Sequence, residues 1–173
     1  MITDTSKNYE LSFSKDGKNW ESTVKGTFSN LTSAQTITLE TPVTARYFKF
    51  VPLSEMHGRK WASAAELNVS ILKNISGASQ RQIVVSVDSD ADNSMKLAAD
   101  GNINTYWHTV HNQFYIAPYP HEIHLSLSKE ATIKGIRYTP RQDSEEGRIA
   151  SYEVYASKDG KNWGQPLSMA PSI

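Results

Sequence analysis

Cysteine is absent from all 173 residues. That excludes disulfides, thiolate metal sites and a cysteine nucleophile, and leaves the redox compartment open. Neither sign of charge is in surplus, since Lys+Arg and Asp+Glu both number 18. Nothing therefore steers the chain onto nucleic acid or an anionic membrane. No apolar run approaches the roughly 18 residues that span a bilayer, so no membrane insertion is expected. The first ten residues, MITDTSKNYE, lack the basic and apolar regions of a signal peptide; if a parent protein is exported, its signal lies outside this stretch. No segment sustains a 3.6-residue period, so any helix is a short loop element. Motifs of the G-x-S-x-G, H-E-x-x-H and phosphate-loop kinds are missing, and no carboxylate pair is set apart as a glycosidase dyad would be. Catalysis is not expected.

What the chain does have is a repeated segment. Tyr9 to Trp20 reads YELSFSKDGKNW and Tyr152 to Trp163 reads YEVYASKDGKNW, identical at nine of twelve positions. The offset, 152 − 9 = 143 residues, is the length of a domain and not of a solenoid unit. The chain reads as cut from a tandem array, starting late in one module and stopping within the next. Between and around the copies, short apolar stretches alternate with period two, as in half-buried strands. Examples are Ile37 and Leu39, Arg46 to Val51, Leu67 to Leu72, Ile83 to Val87, Ile123 to Leu127, Ile133 to Tyr138, and Tyr152 and Val154. In each repeat copy an Asp-Gly pair is expected to turn a hairpin between two strand-like runs. An all-β sandwich follows, with the polar stretch Lys73 to Gln82 as linker or wide turn.

Certain residues go further. Ala99 to His108 (ADGNINTYWH), Pro120-His121, Gly135 to Arg141 (GIRYTPR) and the second repeat copy together resemble the first part of a coagulation factor 5/8 type C, or discoidin, domain. The bacterial family 32 carbohydrate-binding module is the variant they are most similar to. Arg46 to Lys49 (RYFK) and Ala62 to Val69 (ASAAELNV) resemble the last part of the same fold. The resemblance implies a jelly-roll β-sandwich of the galactose-binding-domain type, its pieces in inverted order. Residues 1–72 would be the C-terminal part of a module, 73–82 the linker and 83–173 the N-terminal part. Termini of such modules lie side by side, so the two parts are expected to close into one circularly permuted, monomeric sandwich, with a strand-swapped dimer as the alternative. One repeat copy is then surplus and is expected at an edge or in an intermolecular contact.

Asp100, Asn102, Asn104 and Thr105 put several hard oxygen donors into one Gly-containing loop, suited either to calcium or to a metal-free Asx turn. The resemblance implies a structural calcium ion held by Asp100, Asn102, Thr105 and Glu66, with carbonyls near Leu97 and Ala65. Asn102 departs from the more usual Asp.

Sugar recognition needs an aromatic face for the pyranose and polar groups for its hydroxyls. Three clusters offer these: His111 to Tyr119, Arg141 to Arg148 and Glu55 to Trp61. The resemblance places the ligand at the loop apex and matches Trp61 to the residue that stacks on the sugar. Arg141 is the expected main donor, with Asp143 or Glu145 as competing ion-pair partners. His108, His121, Tyr115 and His57 are further candidates; His121 has the alternative of holding a loop through its ring nitrogens. Trp107 is expected to pack beneath the Asp100–Thr105 loop, and Trp20 and Trp163 to be hairpin and core residues. The overall expectation is a non-catalytic module of a larger secreted or surface-attached glycoside hydrolase, extracellular, periplasmic or at the cell surface, that binds glycan such as galactose or N-acetylglucosamine. The alternative is a discoidin-like adhesion domain that docks on protein or phospholipid through apolar loop tips around Met56 and Phe114 to Ile116.

Overall fold

The structure, a computed structural model, describes residues 26–73 and 82–167. The first repeat copy and most of the 73–82 stretch lie outside the described residues. Eight strands are present among the described residues: β1 (Gly26–Thr27), β2 (Gln35–Glu55), β3 (Ser63–Ala64), β4 (Glu66–Lys73), β5 (Gln82–Val87), β6 (Trp107–His108), β7 (Ile123–Thr139) and β8 (Ile149–Ser157). The helical element is a short 3-10 turn, Met95–Ala99. No helix among the described residues is long and apolar enough to cross a membrane.

Two long strands organise everything else. β2 and β7 pair antiparallel from Gln35↔Tyr138 to Phe50↔Ile123, with register shifts between Thr38 and Val43 and between Ala45 and Tyr47. Bulges of this kind bend a strand from one layer of a sandwich into the other. At one end the order is β5-β7-β2-β8-β1, five strands; at the other β4 flanks β7, giving β4-β7-β2. Both sides of the 73–82 stretch therefore contribute to one hydrogen-bonded sheet. The fold is an all-β jelly-roll sandwich. Its alternating inward residues, Ile37, Leu39, Phe48, Phe50, Ile123, Leu125, Leu127, Ile133, Ile136, Tyr138, Ile149 and Val154, form one buried cluster. An aromatic knot joins the two segments: Phe28 lies 4.6 Å from Tyr138 and 4.4 Å from Tyr152, ring centre to ring centre, and Phe50 lies 5.5 Å from Tyr152.

The Asp159-Gly160 turn forms, but the expected hairpin does not. Asp159 Oδ1 accepts the amides of Lys161 and Asn162, and Ser157 Oγ accepts that of Gly160. Residues 161–167 then run without strand structure, touching β8 through the Leu167 amide on the Val154 carbonyl at 2.7 Å. A turn fixes local geometry, whereas a strand also needs an apolar face to bury, and GQPL supplies little. Trp163 is correspondingly a half-buried surface residue, 5.3 Å from the His124 ring and 5.6 Å from Lys49 Nζ, and not part of the core. Trp107 is fully buried, its indole N–H donating to the Ser89 carbonyl at 3.0 Å.

His121 is also inside the fold, at 0% exposure. Its Nδ1 lies 3.1 Å from Asp88 Oδ2 and its Nε2 is 3.2 Å from the Lys60 carbonyl. With both nitrogens engaged and no open surface, it ties the β5 end to the segment before β3 and cannot touch a ligand. This corrects its candidacy as a sugar contact. Burial pushes the Asp88 carboxyl up, but the hydrogen bonds from His121 and from the Glu122 amide outweigh burial and hold it below the usual carboxylate range.

Two consequences are measurable. A Cβ on Gly135 would overlap the Ile37 carbonyl across the β2–β7 ladder, so Gly135→Ala is expected to cost about 2 kcal/mol in urea unfolding; an unchanged midpoint refutes that close approach. Because the folded Asp88 carboxyl is depressed, its contribution is present above the unfolded carboxylate pKa and is lost as pH falls through the folded one. Asp88→Asn should therefore lower the melting temperature at neutral pH and narrow its gap to the parent below about pH 4; a pH-independent gap contradicts this.

Candidate functional site

Placement of the site begins with residues 60 to 66. The Ala62 amide donates to Thr109 Oγ1 and the Thr109 amide to the Ala62 carbonyl, both at 3.0 Å. Ser63 and Ala64 pair with His108 and Trp107 as β3–β6. Tyr119 Oη donates to the Trp61 carbonyl at 2.9 Å, and Tyr138 Oη to that of Ser63 at 3.1 Å. Amides of Ser63 and Ala65 reach the carbonyls of Gly147 and Thr139. The peptides along this stretch are thus tied to several separate parts of the chain, and Trp61 and Glu66 take their positions from it.

Around Trp61 the structure assembles a continuous aromatic band. The half-buried Trp61 ring stacks on His111 with centres 4.9 Å apart and planes 14° apart. His111 meets His108 edge-on at 5.3 Å, and His108 lies 5.7 Å from Tyr106. Beyond Tyr106 stands Arg141, its guanidinium 3.9 Å from the ring centre and its Nη2 donating to Tyr106 Oη at 2.7 Å. Arg141 also makes a two-point pair with Asp143, Nε to Oδ1 at 2.8 Å and Nη2 to Oδ2 at 2.7 Å. That pair and the planar stack fix the guanidinium, which a lone arginine would leave mobile.

Polarity along the band is set by one carbonyl. Nδ1 of His108 and Nδ1 of His111 lie 3.2 and 3.0 Å from the Thr109 oxygen. A carbonyl only accepts, so both rings carry hydrogen on Nδ1 and keep Nε2 as an acceptor when neutral. Burial pushes the His108 pKa down, with the Thr109 contact opposing it. His108 is therefore neutral at pH 7. The band thus offers, in sequence, an indole, the imidazoles of His111 and His108, a phenol and a guanidinium.

Several candidates fall elsewhere. His57 pairs with Glu145 at 3.2 Å, and among the described residues none of its contacts reaches the band. Tyr115 is 57% exposed on the 111–117 loop beside Phe114 (87%) and Ile116 (41%), where Asn112 Oδ1 holds the turn through the amides of Phe114 and Tyr115. Tyr106 and His111, in contrast, belong to the band although sequence reasoning assigned them no role. A signal existed for the first: Tyr106 and His108 flank the buried Trp107 two residues apart, the alternation that puts both on one strand face.

The Asp100–Thr105 loop lies at the other end of the 60–66 stretch. Glu66, 5% exposed, accepts the Gly101 amide through Oε1 at 2.8 Å and the Asn68 amide group through Oε2 at 3.0 Å. Asp100 accepts the Asn102 amide and the Thr105 hydroxyl, each at 2.8 Å, and Asn102 Oδ1 accepts the Asn104 amide at 3.1 Å. All four expected ligands are thus gathered in one place. Glu66 is a buried carboxylate whose described partners are neutral, and Asp100 likewise pairs with no cation among the described residues. Of the two, only Glu66 is buried, where an uncompensated charge is costly, while Asp100 and Asn102 are exposed on the loop; the donor set, hard oxygens throughout, could hold a cation such as calcium. Among the described residues no three His, Cys, Asp or Glu side chains converge as a metal-binding group; here two carboxylates are joined by amide, hydroxyl and carbonyl oxygens instead.

Known proteins were compared with the chain. It is 37% identical over 92 residues to a sialidase of Micromonospora viridifaciens and 35% over 95 residues to a galactose oxidase of Gibberella zeae. It is 38% identical over 86 residues to an A type blood N-acetyl-alpha-D-galactosamine deacetylase of Flavonifractor plautii. Those alignments take in 51%, 54% and 42% of this chain but only 14%, 14% and 11% of the relatives' own lengths. The chain thus corresponds to a small part of each. The F5/8 type C domain profile matches twice, over residues 2–67 and 79–171. As those two matches take in nearly the whole sequence, the chain belongs to the F5/8 type C domain family.

Proposed function

We propose that this domain is a non-catalytic carbohydrate-binding module that holds a larger glycan-active enzyme on its substrate. The observation that carries the reading is the band Trp61–His111–His108–Tyr106–Arg141. Its composition follows what a pyranose offers: an apolar C–H face for a flat ring and vicinal hydroxyls for groups of fixed direction. In this reading Trp61 is the platform, Arg141 donates to a sugar oxygen, and Nε2 of His108 accepts a hydroxyl hydrogen. Tyr106 and Asp143 act through Arg141 and are positioning residues. Association of the family with sialidase, galactose oxidase and deacetylase relatives supports a sugar ligand and an accessory role. Galactose or an N-acetylhexosamine is the class proposed, and an extracellular or cell-surface site of action goes with it.

A calcium ion on Asp100, Asn102, Thr105 and Glu66 is proposed as structural. It would clamp the 100–105 loop, and so Tyr106 and His108 just after it, to the β4 strand that follows Trp61. Interleaving of β2 and β4 with β7 and β8 supports the further reading that the two parts of the chain act as one permuted module.

A second reading has one observation in its favour: Phe114, Tyr115 and Ile116 form an exposed apolar tip, of the kind that docks on protein or lipid.

A glycan array and a liposome pull-down separate the two. Trp61→Ala and Arg141→Ala should each weaken glycan retention about tenfold or more with the fold intact by circular dichroism, while Phe114→Ala leaves it unchanged. Glycan binding untouched by the first two variants, or liposome binding abolished by Phe114→Ala, reverses the assignment. For the metal, calcium added to a chelated sample should raise the melting temperature by about 5 °C or more at saturation, and Glu66→Gln should erase that increment. No shift with calcium removes the site.

A further inference from the structure

Trp61, the platform of the proposed sugar site, has a buried indole N–H that meets no acceptor among the described residues. Its ring is therefore not anchored by its own polar atom, as that of Trp107 is by the Ser89 carbonyl. The orientation comes instead from the stack on His111 and from the backbone that carries the side chain. That backbone is gripped at two consecutive carbonyls. The Lys60 oxygen lies 3.2 Å from His121 Nε2, and the Trp61 oxygen accepts the Tyr119 hydroxyl at 2.9 Å. Both grips come from one short turn, residues 119–121, whose two rings lie 4.7 Å apart. The His121 amide on the Pro52 carbonyl at 3.0 Å and the Glu122 amide on Asp88 Oδ1 at 2.9 Å fix the turn itself.

Hydrogen counting separates the two grips. Burial, with the Glu55 carboxylate adding to it, pushes the Tyr119 hydroxyl up, so it stays a donor well into alkaline solution. His121 meets acceptors on both sides. Asp88, held below the usual carboxylate range, presents Oδ2 to Nδ1 at 3.1 Å, and the Lys60 carbonyl facing Nε2 only accepts. Both ring nitrogens then carry hydrogen, which makes the buried ring an imidazolium beside a carboxylate. Other charged groups around it are committed elsewhere: Glu55 to Arg59 at 3.0 Å, and Glu122 to Lys49 and His124 at 3.0 and 2.9 Å. Lys60 itself is exposed. When the ring gives up one hydrogen, the charge-assisted bond to Asp88 is the one retained. Nε2 then turns a lone pair on the Lys60 carbonyl, two acceptors face each other, and that grip opens.

We infer that Tyr119 and His121 are positioning residues for the Trp61 platform, the second of them through an imidazolium that makes the placement of the platform depend on pH. The role in sugar binding rests on the reading of Trp61 given above; the clamp itself does not. The contribution of the imidazolium is present at low pH and is lost as pH rises through its titration. His108, whose pKa burial pushes down, acts in the opposite sense, losing its acceptor on the acid side.

Nuclear magnetic resonance of the ligand-free protein tests the clamp without any sugar. Ring nitrogen shifts of His121 should show hydrogen on both nitrogens at about pH 5 and loss of the Nε2 hydrogen as pH is raised. Tyr119→Phe removes the other grip and keeps the ring. It should shift the indole N–H signal of Trp61, recognised by its absence in Trp61→Phe, while that of Trp107 stays in place. In a pH titration the Trp61 signal should move in step with the His121 ring, and His121→Gln should abolish that step. His111, stacked on Trp61, moves the signal alike in both proteins. With galactose as the probe, Tyr119→Phe should weaken binding about fivefold. The inference is overturned if His121 carries a single ring hydrogen at about pH 5, if Tyr119→Phe leaves the Trp61 signal or the galactose affinity unchanged, or if the step persists in His121→Gln. Should His121→Gln fail to fold, the ring shifts and Tyr119→Phe decide alone. A parent protein that binds no galactose counts against the proposed function, and the ligand-free signals then decide the clamp.

Discussion

The structure depends on the tethering of a seven-residue stretch, Lys60 to Glu66. Its peptides bond to β6, to Tyr119, to the end of β7 and to Gly147, and the buried His121 ring closes on its first carbonyl. Buried backbone groups have to find partners, and here the partners come from four separate parts of the chain. The stretch therefore has one position, and the side chains at its two ends inherit it. Trp61 emerges at one end, against His111. Glu66 emerges at the other, against the Gly101 amide. Both candidate sites are read off one ruler.

Electrostatic neutrality of the chain is repeated at the site. Arg141, the guanidinium of the band, faces Asp143 in a two-point pair, and both imidazoles spend their Nδ1 hydrogen on Thr109. Asp143 is depressed below the usual carboxylate range by its bonds from Arg141. The pair is mostly solvent-exposed on the Asp143 side, so its worth lies in orientation more than in stability. A surface of this kind attracts nothing by long-range charge. In the proposed sugar-binding role it would select by shape and by the direction of its hydrogen bonds, the opposite of how a phosphate or nucleic-acid surface works.

Strands were legible because their signal is local. Period-two alternation at Ile37/Leu39, Ile123/Leu125/Leu127 and Tyr152/Val154 depends on which face each residue takes, and all of these are in the buried cluster. The Asp159-Gly160 turn was legible for the same reason, but the strand after it was not, since a turn motif says nothing about whether the next residues have a face to bury. Trp61 stood out as a large aromatic without a strand face, and the structure does put it at the end of the band. His111 lay at the edge of a candidate cluster but was not singled out, because its place follows from stacking on a residue fifty positions away, which no spacing encodes. His121 shows the converse. Its neighbours in sequence resemble a site, yet Asp88 and Lys60 converge on it from distant segments and take it inside. Residues whose environment is long-range were the ones that sequence alone could not place.

Order along the chain matters little to such a sandwich. β2 and β4 come before β5, β7 and β8 here, but a ladder forms between neighbours in space, and β7 sits between β2 and β4 whichever is made first. What order does change is the entropy of closure, which grows only slowly with loop length.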